Sequence, residues 1–296
     1  MAKECEPPRG HPLTIEQAKE LIAGELGEAC ERFISRCCAP IYWYYPGDEI
    51  LDNGTLTFVH TPHRLMAITA AHVVRGFQAA HAAAKRPIHL QVMNAILNLE
   101  PIAICDRLDL ATLAIDDDLL ARLGKEIQPL STWPPTLPQP GRGIMLAGYP
   151  GGDRRQLSPT AVEWGLFTAL GIARTVISHQ ITWVAERNAD IITNLPLQHR
   201  LGGLSGGPLI GIFERPGGPM QFALSGIISQ AHQELENVIA RRADFINDDG
   251  SIIEPSLVSD SQNPTPLRPF FFHLSASRTY RDTISADLCR VCCCMR

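Results

Sequence analysis

One serine of this 296-residue chain lies in an unusual run of glycines. Ser205 stands in the segment 202–208, which reads GGLSGGP. Glycine permits backbone conformations that other residues rarely adopt, and it lets a ligand approach the main chain closely. In acyl transfer, the backbone N–H groups beside a serine nucleophile must point at the developing oxyanion. The segment therefore predicts a nucleophilic serine, with the N–H groups of Gly203 and Ser205 as its oxyanion hole.

The same segment fits two other patterns. Residues 203–207 match Gly-x-Ser-x-Gly, the nucleophile elbow of α/β-hydrolases, and an isolated match can also be a plain glycine-rich turn. An elbow serine opens a helix, whereas residues 208–212 have the composition of a strand. The chain upstream also lacks the alternation of strands and helices that an α/β sheet needs. Both observations argue against the elbow.

Two upstream residues have the types that activate a serine. His72 follows the stretch 68–71, ITAA, whose small side chains leave room for an imidazole to face a cleft. Asp109 directly precedes the mainly apolar run 110–113 (LATL). Its competitors Asp106 and Asp116 do not directly precede this run. A buried carboxylate there can hold the histidine tautomer and stabilise the imidazolium. Taken singly, His72 also fits a hydrogen-bonded core histidine and Asp109 a strand-start aspartate, and both interpretations stay open.

Together these segments resemble the motifs of the trypsin-like (chymotrypsin-fold) serine peptidases, of the bacterial or intracellular type. Residues 69–72 (TAAH) are similar to the histidine motif, residues 109–113 (DLATL) to the aspartate motif, and residues 203–208 (GLSGGP) to the serine motif. Their order is that of this fold and not of subtilisins or α/β-hydrolases. The resemblance covers about residues 50–235. It implies a catalytic triad of His72, Asp109 and Ser205, with no metal or organic cofactor.

The resemblance also implies roles for residues around the triad. Ser229 is the counterpart of a serine that hydrogen-bonds the triad aspartate, and Gln230 and Ala231 would flank the substrate backbone. Counting back six residues from Ser205 places His199 at the base of the S1 pocket. Because no acidic residue stands there, we expect the pocket to take a neutral side chain.

Leu204 departs from the pattern of the secreted digestive members. Those proteins carry an aspartate at this position, and it pairs with a new N-terminus made by zymogen cleavage. A leucine cannot form that ion pair, so this activation route is not indicated. What orders the oxyanion loop is left open by the sequence.

Short strand-like segments separated by turns must position these residues, and they favour an all-β fold. The resemblance implies that this fold consists of two six-stranded antiparallel barrels of the chymotrypsin/trypsin type, with an added N-terminal helix. We predict helices over 14–36, where Thr14 and Gln17 fit a capping box, over 70–85 and over 117–124. Strand signals cover 41–44, 54–59, 65–69, 88–93, 109–115, 144–148, 161–185, 190–195, 207–213 and 221–229.

Five prolines in residues 128–142 indicate a linker between the two barrels. The predicted organisation is a helical extension, a peptidase domain and a Cys-rich tail. Their bounds are 1–38, 39–275 (first barrel 39–127, second barrel 143–275) and 276–296.

Composition narrows the partners and the compartment. The net charge of −5 gives no electrostatic reason for a nucleic-acid partner. The polar N-terminus lacks the apolar run of a secretory signal, and no stretch of 18 apolar residues indicates a membrane span. The nine cysteines do not spread as a disulfide framework would. We therefore expect a cytoplasmic protein with reduced thiols, acting on a protein or peptide.

Three functions are compatible with these residues. The leading one is an active serine endopeptidase. The others are a latent or inactive trypsin-fold protein that binds peptides as a scaffold, and an esterase-type acyl hydrolase. The helix over 14–36 and the tail, with its cluster Cys289–Cys294, are candidate surfaces for a regulatory partner. One C-x-x-C without a second ligand pair is weak evidence for a metal site.

Overall fold

The fold of the chain was obtained as a computed structural model. It describes residues 24–44, 50–125, 127, 133–158, 161–184, 191–193, 201–213, 221–232 and 237–254. The predicted all-β class, built from two antiparallel sheets with an added N-terminal helix, is confirmed. Over the described residues the two sheets hold seven and eight strands rather than six each, because short pairing segments extend their edges.

The first sheet is formed by the N-terminal half of the chain, and its strand order is β5-β4-β1-β2-β3-β7-β6. Every described pairing within it is antiparallel. Its strands are β1 (Cys38–Tyr44), β2 (Ile50–His60), β3 (Leu65–Thr69), β4 (His89–Val92), β5 (Ala95–Ile96), β6 (Pro101–Cys105) and β7 (Leu110–Ala114).

The second sheet follows the proline-rich segment, and its order is β12-β13-β17-β16-β15-β8-β11-β14. Strands β9 and β10 form a separate two-stranded hairpin. The strands of this half are β8 (Gly143–Gly148), β9 (Arg154–Ser158), β10 (Ala161–Trp164), β11 (Phe167–Ile172), β12 (Thr175–Val176), β13 (Gln180–Val184), β14 (Ile191–Thr193), β15 (Pro208–Phe213), β16 (Gln221–His232) and β17 (Asn237–Arg242).

Apolar side chains from both sheets meet in a shared core. Successive residues of a strand point to opposite faces, so each strand can direct one row of side chains inward. Fully buried residues of the first sheet and of the second belong to one contiguous cluster. Burial of apolar area contributes roughly 25 cal/mol per Å² to the free energy of folding. Burial of this cluster is therefore the main interaction that holds the two sheets together. Its members include Met66, Ile68, Leu110, Met145, Ala147 and Ile227.

The described residues contain three α-helices besides the sheets: α1 (Glu25–Arg36), α2 (Ala71–Ala83) and α3 (Asp117–Arg122). Helix α1 covers the C-terminal part of the predicted helix 14–36, whereas residues 14–23 lie outside the described residues. Cys30 and Ile34 of α1 are buried in the shared core, and the Phe33 ring lies 5.3 Å from that of Phe222 on β16. The helix therefore packs on both sheets.

The segment after β17 returns to the first sheet. The hydroxyl of Thr112 on β7 donates to the Gly250 carbonyl at 2.6 Å, and that of Thr61 donates to the Asp248 carbonyl at 2.6 Å. Both threonines are fully buried. Residues 246–254, which we call the return segment, thus bind the chain that follows the second sheet to the first sheet.

Several elements differ from the prediction. Strands β6, β9 and β17 carry little sequence signal: β6 starts at a proline, and β17 has only three apolar residues before two arginines. Pairing with β13 on one side and with the longer β16 on the other supplies what its own sequence lacks. The domain bounds stay predictions, since residues 128–132 and 255–296 lie outside the described part. No helix within the described ranges is long and apolar enough to cross a membrane.

The packing of α1 gives a stability prediction. Replacing the fully buried Ile34 by alanine should lower the free energy of unfolding by about 2–5 kcal/mol, because the deletion leaves a cavity in the shared core. Arg32 on the solvent side of the same helix is the matched control, and its alanine variant should stay within about 0.5 kcal/mol. Chemical denaturation measures both. Equal effects would mean that α1 is not docked.

Candidate active site

His72 lies at the start of helix α2. Strand β3 ends at Thr69, and α2 begins two residues later, so His72 is the second residue of the helix. Ala70 and Ala71 are buried against the sheet, which explains why small residues precede the histidine. The His72 side chain is 52% exposed and therefore accessible to a ligand.

Asp109 holds His72 at two points. The Oδ1 atom accepts a hydrogen bond from the backbone N–H of His72 at 2.9 Å. The imidazole Nδ1 lies 2.8 Å from Oδ2 and 3.0 Å from Oδ1. An ionised carboxylate only accepts, so the proton of a neutral ring is on Nδ1, which leaves Nε2 as the acceptor. An imidazole held in this tautomer can take a proton from a hydroxyl group.

Asp109 achieves this contact through an unusual backbone. It ends the turn 106–109 between β6 and β7 with φ at +54°, a left-handed conformation that aspartate tolerates better than most residues. The Asp109 side chain is only 18% exposed. The turn thus directs a mostly buried carboxylate at the start of α2.

The carboxylate changes the proton affinity of the histidine. Its hydrogen bond to Asp109 raises the pKa of His72 above the ordinary value of 6.5. Burial opposes this rise in pKa, and the negative charges of Asp109 and Asp52 add to it. His72 is therefore protonated at a higher pH than a free imidazole would be.

The two competing aspartates have other partners. Asp106 forms a two-point ion pair with Arg75 on α2, at 3.0 and 2.9 Å. Asp116 caps α3, where its side chain accepts a hydrogen bond from the Leu119 N–H at 2.7 Å. Of these three carboxylates, only Asp109 contacts His72.

Ser205 lies on a loop of the second sheet that contacts strand β2. Its loop precedes β15, which confirms that a strand and not a helix follows the serine and excludes the nucleophile elbow. Gly206 has φ at +93°, and a Cβ atom there would lie 2.0 Å from the carbonyl oxygen of Thr55. Only glycine fits, so the GLSGGP pattern reflects close contact with strand β2.

The two amides beside the serine are oriented by their neighbours. The Gly202 carbonyl accepts from the Gly151 N–H at 2.7 Å, and the Leu204 carbonyl accepts from the Gly207 N–H at 2.9 Å. Because a trans peptide points its C=O and N–H in opposite directions, the N–H groups of Gly203 and Ser205 point away from these contacts. Neither N–H group donates to any described residue. Both can bind an oxyanion.

The serine hydroxyl contacts a backbone carbonyl of β16. Ser205 Oγ donates to the carbonyl oxygen of Ser229 at 3.4 Å, and over the described residues it makes no hydrogen bond to His72. The main chain nevertheless brings the two sides together. A Cβ on Gly54 of β2 would lie 2.8 Å from the side chain of Val73 and 3.3 Å from the Ser205 carbonyl oxygen.

Ser229 differs from what the resemblance implies. Its hydroxyl donates to the Ile239 carbonyl at 3.5 Å and makes no bond to Asp109. The physical reason is a bulge at this point of β16, where the register with β17 shifts between Ile228 and Gln230. Gln230 is exposed and Ala231 is half-buried on the same strand. The predicted pocket residue His199 lies outside the described residues.

Leu204 answers the question that its sequence position raised. Its side chain is fully buried in the apolar cluster of the second sheet. A Cβ on Gly148 would come within 2.9 Å of Leu204 Cδ2, so the leucine packs tightly against β8. Hydrophobic burial of this side chain therefore holds the serine loop on the second sheet.

The described residues hold neither a candidate metal-binding cluster nor a disulfide bond. No group of three or more His, Cys, Asp or Glu side chains could hold a metal ion within those ranges. The four cysteines described, Cys30, Cys37, Cys38 and Cys105, form no disulfide bond with one another. The cluster Cys289–Cys294 lies outside the described part.

Comparison with known proteins yields structures only. No family model and no curated protein matches the chain. Among solved structures, it is similar to the serine protease domain of the Sesbania mosaic virus polyprotein, at 14% identity over 69% of this chain and 87% of that one, with a TM-score of 0.38. A serine endoprotease from Yersinia pestis matches at 18% identity over 74% of this chain and 62% of that one, with a TM-score of 0.42. A thermostable serine protease from an extremophilic microorganism matches at 13% identity over 70% and 91%, with a TM-score of 0.39.

The contact between Asp109 and His72 predicts a titration shift. Asp109→Asn should lower the pKa of His72, since both the charge and the strongest acceptor are lost. Asp106→Asn, whose native partner is Arg75, is the matched control and should leave that pKa in place. NMR titration of the imidazole measures both variants.

The sign of the accompanying stability effect follows from linkage. A histidine whose pKa is raised in the folded state contributes stability below its unfolded pKa, and this contribution is lost as pH rises through the folded pKa. Asp109→Asn should therefore reduce stability more at acidic than at alkaline pH. An unchanged His72 titration would contradict the proposed contact.

The buried Leu204 predicts a second outcome. Leu204→Ala should lower the free energy of unfolding by about 2–5 kcal/mol, because it opens a cavity beneath the serine loop. Leu204→Met, which nearly conserves volume, should cost less than about 1.5 kcal/mol. Denaturant titration compares the two. Equal stability of both variants would show that the leucine does not anchor the loop.

Proposed function

We propose that this protein is a trypsin-like serine endopeptidase, which hydrolyses peptide bonds through a covalent acyl-enzyme. The observation that carries the proposal is the contact of Asp109 with both the backbone and the ring of His72. A structural histidine needs one satisfied hydrogen bond, whereas a general base must be fixed in tautomer and orientation. The amides of Gly203 and Ser205 lie on the opposite sheet and donate to no residue that the structure describes, which adds support.

The mechanism assigns one step to each group. Ser205 Oγ turns from the Ser229 carbonyl toward the cleft and transfers its proton to Nε2 of His72 as it attacks the scissile carbonyl carbon. The oxyanion that forms is bound by the N–H groups of Gly203 and Ser205. The imidazolium, stabilised by Asp109, then protonates the leaving amine. Water attacks the acyl-enzyme with His72 again as base, and the acid product is released.

The substrate class is a protein or peptide with a neutral side chain before the scissile bond. The assignment of His199 to the pocket base carries this preference, because no carboxylate stands there to bind lysine or arginine. Gln230 and Ala231 follow Ser229 on β16 and would flank the substrate backbone. The cytoplasmic location and a regulatory partner for α1 or the tail stay predictions.

A latent or scaffold protein is the second candidate, and one observation favours it. Ser205 Oγ donates to the Ser229 carbonyl instead of to His72, so the nucleophile is not activated in this conformation. Serine side chains change rotamer rapidly, so the hydroxyl can leave the Ser229 carbonyl. A substrate that fills the oxyanion site would favour the rotated form.

Labelling by a fluorophosphonate probe tests the proposal. The wild-type protein should become labelled on Ser205, because the probe needs both an activated hydroxyl and an oxyanion site. Ser205→Ala and His72→Ala should abolish labelling, and Asp106→Asn should retain it as a matched control. Mass spectrometry locates the label. A folded wild-type protein that stays unlabelled would favour the latent candidate.

A further inference from the structure

Three buried threonines of the first sheet face the serine loop of the second. Thr55 and Thr57 lie on β2, and Thr69 lies at the end of β3; all three are fully buried. Buried strand positions are usually apolar, and a buried hydroxyl destabilises the fold unless it is hydrogen-bonded. Each of these hydroxyl groups must therefore have a hydrogen-bond partner.

The partners of these threonines lie in or around the serine loop. Thr55 Oγ1 donates to the Gly203 carbonyl at 2.8 Å and accepts from the Tyr149 N–H at 3.0 Å. Thr57 Oγ1 donates to the Gly206 carbonyl at 2.7 Å. Thr69 Oγ1 donates to the Thr55 carbonyl at 2.8 Å and so fixes β2 itself. The loop is bound from the opposite sheet at several points.

Thr55 acts on the oxyanion site by two routes. It fixes the carbonyl of Gly203, whose own N–H is one of the oxyanion donors. It also fixes Tyr149, the first residue of the turn in which the Gly151 N–H orients the Gly202 carbonyl. Both peptide groups that flank Gly203 are thus held, directly or through the turn, by one hydroxyl.

Gly203 needs such external support. Its φ of +101° belongs to the region that glycine alone adopts freely, and it has no side chain to restrict the backbone. A Cβ atom there would lie 2.2 Å from the Asn53 side-chain nitrogen, so no other residue can take its place. Because Gly203 has no side chain to pack, its conformation depends strongly on its hydrogen bonds.

We propose that Thr55 is a positioning residue for the oxyanion site, through which the first sheet sets the orientation of the Gly203 peptide groups. The inference deepens the proposed function and rests on it. Its consequence is that the oxyanion donors, although they belong to the second sheet, are aligned only when the two sheets are docked.

The test compares three variants. Thr55→Val keeps the branched shape but puts a methyl group against the Gly203 carbonyl and leaves that carbonyl and the Tyr149 N–H unsatisfied. Thr55→Ser keeps the hydroxyl. Thr112→Val is the matched control, because Thr112 is an equally buried threonine of the same sheet whose 2.6 Å bond goes to the remote Gly250 carbonyl.

We expect Thr55→Val to slow fluorophosphonate labelling of Ser205 and to lower kcat by about 10- to 100-fold, since outright loss of an oxyanion donor costs about 10²–10³. KM should change little. Thr55→Ser and Thr112→Val should stay within about three-fold of wild type. If Thr55 had only a structural role, both valine variants would show the same rates when each is measured equally far below its own melting temperature. That result would overturn the proposal.

Hydrogen exchange separates this inference from the proposed function. In Thr55→Val, but not in Thr112→Val, amides of residues 201–207 should exchange faster, whether or not the protein is active. An unlabelled wild type with this exchange pattern would contradict the peptidase while leaving the positioning role intact. Unchanged exchange would overturn the positioning role. If Thr55→Val does not fold, Thr55→Ala removes the hydroxyl without adding bulk.

Discussion

The backbone contact between strand β2 and the serine loop is the constraint on which the site depends. The Thr55 N–H donates to the Ser205 carbonyl at 2.8 Å, so Ser205 is hydrogen-bonded to the opposite sheet. This bond can form only where the glycines at 54 and 206 let two main chains approach each other. The apolar core shared by the sheets supplies the burial energy that holds them at this distance.

The two halves contribute different chemistry to the cleft. The first sheet supplies charge: Asp109 binds His72 by backbone and ring, and Arg75 occupies the neighbouring Asp106. The second sheet supplies neutral donors, the amides of Gly203 and Ser205, on a loop anchored by the burial of Leu204. The charged pair and the neutral donors thus come from separate sheets.

The sequence predicted those parts of the site that depend on local chemistry. The glycines around Ser205, the small residues before His72 and the apolar run after Asp109 are visible in short segments, and the β class follows from strand-like segments of the same kind. Hydrogen bonds between distant segments left no such signal. The partner of Ser229 depends on a bulge, and the role of Thr55 depends on a loop about 150 residues away. Weak strands such as β17 likewise form because their neighbours pair with them.

The return segment has a consequence for how the chain acquires its structure. Residues 246–254 bind buried hydroxyls of the first sheet, although they follow the last strand of the second. The first sheet therefore lacks some of its native contacts until nearly the whole described chain has been synthesised. Such contacts between distant parts of a chain slow folding and couple its halves. The two sheets are better regarded as one cooperative folding unit than as independent modules. The boundary between them is therefore not a natural place to divide the protein.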